Sequence, residues 1–139
     1  MTIDEVISGM PDGFHDAHLL NISVDYRERT LQIDLNWWTG EESEIEEVRE
    51  AYREGALIVS GLQYFVVESP ENRTLKDKPS DIDGFKTRDS DITRASLPHV
   101  SSDAFRYSFF VGDWNSFIHF AGTSAAVLPA DLFVRKTET

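Results

Sequence analysis

The chain has no cysteine, only 5 prolines and 8 glycines in 139 residues, and 13 basic side chains against 25 acidic ones. Each shortage excludes something. Without cysteine there are no disulfides, no thiolate metal ligands and no cysteine nucleophile. Few basic groups and a net charge of −12 oppose binding to phosphate backbones, which needs clustered Lys and Arg. No apolar run approaches the 18 residues of a membrane-spanning helix. The N-terminal Met1-Thr2-Ile3-Asp4-Glu5-Val6 lacks the basic start and apolar stretch of a signal peptide. A cytoplasmic protein that binds neither nucleic acid nor membrane is therefore expected.

What is present is a foldable composition: 40% hydrophobic residues, with 9 Phe, 4 Tyr and 3 Trp, enough for one core and one domain across 1–139. The acid is unevenly spread. Residues 1–40 carry seven acidic and two basic side chains, and residues 41–55 again seven and two. Ten of the twelve excess negative charges thus fall in the first 55 residues.

Hydrophobic periodicity gives the elements. Thr2 with Glu5 has capping-box spacing, and Ile3, Val6, Ile7 and Met10 share a helical face. The period then becomes two. Leu20, Ile22, Val24 and Tyr26 alternate with polar residues, and after Arg27-Glu28-Arg29 so do Leu31, Ile33, Leu35 and Trp37, which predicts a hairpin. Ser43 to Glu54 has capping-box and helical spacing with Gly55 as a stop, which predicts a short acidic helix. Ala56–Ser60 and Leu62–Glu68 read as one bulged strand or two shorter ones around Gly61. Residues 69–103 show no sustained period and read as a long polar loop. Phe105, Tyr107, Phe109 and Val111, a turn at 112–115, and Phe117–Ala121 predict a second hairpin, with a last short strand at 125–128. The expected fold is mainly β, with six or seven antiparallel strands in a curled sheet or two-layer sandwich.

Candidate chemistry concentrates in His15-Asp16-Ala17-His18. Strand alternation predicts Asp16 and His18 on the face of Leu20 and Ile22, with His15 opposite. His119, Asp113 or His99 would have to complete a metal or acid–base site. Asp81-Ile82-Asp83-Gly84 and Asp89-Ser90-Asp91 do not continue into a calcium loop and read as solvated loop acids. No nucleophile elbow and no phosphate-cradling glycine loop is present, and no cofactor is expected. Period two sends Trp37 inward and Trp38 to the opposite face, where it adjoins the acidic stretch. Trp114, at a hairpin tip, is a second candidate anchor.

The run Gly13-Phe14-His15-Asp16-Ala17, followed by alternating apolar residues, resembles the opening of a group of small bacterial proteins of unknown function. Some immunity proteins of polymorphic toxin systems share this Phe-His-Asp-Ala start. Arg53, Leu57 and Gly61 fit the same layout, and the likeness covers roughly residues 11–68. It departs at His18, where an acidic residue is expected, and at 69–103. The resemblance implies a small β-rich fold and, for the immunity members, inhibition by binding.

The leading expectation is a non-enzymatic protein-binding module, in the immunity case a toxin-neutralising one. Its basic partner would be met by Glu42, Glu46, Glu47 and Glu50 beside Trp38. The alternative is a small metal-dependent or acid–base enzyme using Asp16, His18 and His119. Self-association through a sheet edge is a third route to function.

Overall fold

The computed structural model describes residues 1–10, 13–38, 52–71 and 80–129, with only the backbone of Trp38. Helix α1 spans Ile3–Ser8. The strands are β1 Ala17–Asp25, β2 Thr30–Trp38, β3 Tyr52–Ser60, β4 Tyr64–Val67, β5 Ser80–Lys86, β6 Phe105–Val111, β7 Ser116–Gly122 and β8 Ser124–Pro129. A second short helix, α2, spans Asp89–Arg94. The strands form one open antiparallel sheet in the order β4-β7-β6-β5-β1-β2-β3-β8. The mainly β fold is as expected, with eight strands among the described residues.

The expected capping box closes the start of α1: Thr2 Oγ1 accepts from the Glu5 N–H and Glu5 Oε1 accepts from the Thr2 N–H, each at 3.1 Å. Its Ile3 and Val6 are buried. In β2, Leu31, Ile33 and Leu35 are fully buried and Trp37 nearly so, with Gln32, Asp34 and Asn36 between them on the other face. The sheet curls so that Leu31, Ile33, Leu57 and Val59 from one half share a core with Phe109, Ile118 and Phe120 from the other. Gly122 marks the close approach. A Cβ there would collide with Val59 and lie 2.9 Å from the Ser60 carbonyl. Edge-to-face ring contacts of Phe14, Tyr107, Phe109 and Phe120, with centroids 5.3–6.1 Å apart, order this core.

The sequence reading fails in four places. Residues 69–103 are not one loop. They contain β5, which joins β1 to β6, and α2. The core face of β5 carries Ser80, Ile82, Gly84 and Lys86, so one apolar side chain is all the period-two signal it has. Gly84 is required there, because a Cβ would lie 2.5 Å from Tyr107 Oη.

The second failure is in β1. Leu19 pairs with Leu35 but Asn21 pairs with Asp34, so Leu20 is an extra residue in a bulge. The bulge reverses the alternation. Ala17 and Leu19 share the core side with Ile22 and Val24, and His18 points outward. The third concerns Tyr26, which follows the strand and is 83% exposed. The fourth is the acidic helix: Tyr52, Arg53 and Glu54 belong to β3, and Gly55 is no helix stop. Residues 43–51 of that helix lie outside the described residues.

A second, smaller core forms on the other face of the β4-β7-β6 half. Tyr64, Leu97 and Ala121 are buried there, with Val66, Ile92, Ala95 and Val100 packed around them. Helix α2 and the chain after it thus cover the outer face at this end.

Candidate functional site

Two polar clusters stand out, one on the central strands β1 and β5 and one on β4, β7 and β6 beside them. The first is built on the Phe-His-Asp-Ala run. Gly13 and Asp16 adopt left-handed backbone conformations, with φ of 52° and 55°, and Phe14 drives its ring into the core between Tyr107 and Phe109. This anchored turn leaves His15 and Asp16 on the outside. His15 Nδ1 lies 2.5 Å from Asp83 Oδ1 on β5, and Nε2 lies 3.3 Å from Asp16 Oδ2. The Asp16 main-chain N–H donates to the same Asp83 oxygen at 3.3 Å.

One strand step away, His18 Nε2 is 3.3 Å from Asp81 Oδ1. The His18 ring stacks flat on Tyr52, centroids 4.9 Å apart, and Tyr52 Oη donates to the Asp16 carbonyl at 3.5 Å. Asp81 and Asp83, read from sequence as solvated loop acids, are strand residues aimed at the two histidines.

The second cluster lies under α2. His119 and Ser108 are fully buried on paired positions of β7 and β6. Ser108 Oγ is 2.7 Å from His119 Nδ1 and 2.7 Å from Thr87 Oγ1. His119 Nε2 is 2.5 Å from Glu68 Oε2. Ionised Glu68 can only accept, so Nε2 carries a hydrogen and donates to it. Glu68 also accepts from Arg94 Nη2 at 2.8 Å, and Arg94 is 3.0 Å from buried Asp91. Asp91 in turn accepts from the Arg88 side chain at 3.0 and 3.1 Å and from its main-chain N–H at 3.0 Å. Arg88 lies over the ring of Phe85 and Arg94 over that of Phe117, each 4.6 Å from the centroid.

These contacts set the ionisation of the network. Burial raises the Asp91 carboxyl, but the Arg88 hydrogen bonds and charge outweigh it and bring it down to about 2. Burial likewise opposes ionisation of Glu68, and Arg94 with His119 reverses that to a lowered value.

Ser108, His119 and Glu68 have the composition of a hydrolytic triad, yet the arrangement cannot act as one. Ser108 and His119 are sealed from solvent, and neither lines the open depression formed beside them by Glu68, Glu71, Arg94, Asn115 and Phe117. A nucleophile must reach its substrate. The network instead ties β4, β5, β6, β7 and α2 together.

Asp16, His18 and His119 do not converge. His119 sits on β7, three inter-strand steps from His18, which is roughly 14 Å along the sheet before any offset along the strands. Asp16 meets His15 and Asp83 instead, and His18 meets Asp81. The expected pairing of Asp16 with His18 rested on an unbroken strand. In fact Asp16 belongs to the turn preceding β1. His99 is exposed, and Trp114 packs against the main core rather than standing free as an anchor. Glu42, Glu46, Glu47 and Glu50 lie outside the described residues, as does the Trp38 side chain.

No helix among the described residues is long and apolar enough to cross a membrane. Comparison of the chain with protein families, curated proteins and solved structures finds no match.

Proposed function

We propose that this protein is a non-catalytic binding module that captures a basic protein partner at the acidic end of its sheet. The observation that carries the reading is the pairing of Trp38 with Tyr52. These two residues flank 39–51 in sequence, the stretch that carries Glu42, Glu46, Glu47 and Glu50, and both lie at one end of the sheet. Tyr52 contacts Asp16 and His18 there, and the same end carries Asp81 and Asp83. Asp16, Asp81 and Asp83 thus stand at the end of the sheet where Trp38 and Tyr52 flank the acidic stretch in sequence. A concentrated negative field accelerates encounter with a cationic surface and disfavours acidic competitors. The likeness of the Phe-His-Asp-Ala run to immunity proteins supports neutralisation of a toxin as the concrete form of that binding.

The test is affinity capture from the source cells with the wild-type chain and a Glu46→Lys/Glu50→Lys variant, followed by mass spectrometry. The reading expects a cationic protein that is retained by the wild type and lost from the variant. Equal recovery of every captured protein by both chains contradicts it.

A further inference from the structure

The turn that holds His15 brings three possible metal donors together on the surface. One nitrogen of His15 and one oxygen each from Asp16 and Asp83 lie within 4.8 Å of one another. A single ion with ligand distances of about 2.0–2.2 Å can be reached by all three after small side-chain adjustments. The donors come from two segments: Asp83 is 67 residues beyond Asp16 and is held by strand pairing rather than on a loop. Phe14, buried in the core, fixes the turn that presents the other two.

Charge makes the same point independently of geometry. Among the described residues, the ion pairs of Asp16 and Asp83 are both with His15. Two carboxylates therefore share one imidazole, with no Lys or Arg among the described residues bridging them. The neighbouring Asp81 adds a third negative group, which faces His18. A bound dication would offset this charge.

We propose that His15, Asp16 and Asp83 form a divalent-cation site, with solvent completing the coordination shell. One imidazole nitrogen with two carboxylate oxygens suits a borderline ion such as Zn²⁺ better than Mg²⁺ or Ca²⁺, which favour all-oxygen shells. The site is distinct from the Asp16, His18 and His119 combination, which the fold separates. It is also independent of the partner reading, because it is tested with the metal alone.

The experiment is calorimetric titration of the tag-free, chelator-stripped full chain with zinc chloride. Wild type should take up one ion per chain, while His15→Ala and Asp83→Asn should bind at least tenfold more weakly and His99→Ala as wild type. Asp83 is half-exposed, so its amide variant should keep the wild-type circular dichroism. The histidine ring resonances of the wild type supply a second readout should a variant fail to fold. Zinc should move those of His15 most and leave those of buried His119 in place. Absence of zinc uptake by the wild type overturns the proposal. So does undiminished uptake by both His15→Ala and Asp83→Asn, or an unmoved His15 ring.

Discussion

Ser108 on β6 and His119 on β7 face one another as a registered pair, with Oγ 2.7 Å from Nδ1 and both side chains fully buried. The imidazole satisfies two other groups, so its removal has more than one cost. Replacing His119 with Ala takes one hydrogen bond from Ser108, which keeps Thr87, and one from Glu68, which keeps Arg94, and opens a cavity. Each lost hydrogen bond costs about 1 kcal/mol and the cavity about 1–2 kcal/mol more. His119→Ala should therefore lose about 3 kcal/mol or more in urea unfolding, and Ser108→Ala about 1 kcal/mol. A His119→Ala chain as stable as wild type would mean that the network contributes nothing to the fold.

The Asp91 carboxyl links that network to acid stability. Its value in the folded chain, about 2, lies below the ordinary 3.8. A depressed carboxyl contributes stability that is complete above the unfolded value and is lost as pH falls through the folded one. The window is thus from about pH 4 down to about pH 2, and the contribution is about 2 kcal/mol at 1.36 kcal/mol per unit. Unfolding free energies at pH 6 and pH 2.5 measure it directly. Asp91→Asn should be less stable than wild type at pH 6 and should show a shallower decline between the two. Parallel declines in both chains would refute the assignment.

Gly55 tests the packing of β3 against its neighbours. A Cβ at this position would collide with the Trp37 ring and with the Leu128 carbonyl. The ring can turn, but the carbonyl belongs to a paired strand and cannot move without breaking the ladder. Gly55→Ala should cost about 1–3 kcal/mol and raise the solvent exposure of Trp37. A denaturation midpoint equal to that of the wild type would show that the strands can spread.

Legibility from the sequence followed the strength of each apolar pattern. β2, β6, β7 and α1 carry apolar side chains at a steady two-residue or three-to-four-residue spacing, and β1 does so beyond its bulge, so both hairpins and the helix are readable. β5 is not, because Gly84 hands the space on its core face to the Tyr107 ring and leaves Ile82 as the sole apolar marker. The bulge at Leu20 is silent in composition, so period two puts His18 on the face opposite to the one it occupies. The networks were illegible for another reason. Glu68 and His119 lie 51 positions apart, His15 and Asp83 lie 68 apart, and their meeting depends on a strand order that local periods do not encode. The inward placement of Trp37 and the orientation of His119 away from Ile118 and Phe120, by contrast, follow from period two alone.

The central claim is electrostatic recognition of a basic partner at the acidic end, and the association rate of the captured partner tests it most directly. Binding of the full chain is followed by stopped flow between 20 mM and 500 mM salt, for wild type and for Glu46→Lys/Glu50→Lys. The account predicts a wild-type rate that falls at least tenfold over that range, as expected for steered encounter. The charge-reversed chain should begin at the low rate and change little. A rate insensitive to both salt and charge reversal would contradict the account.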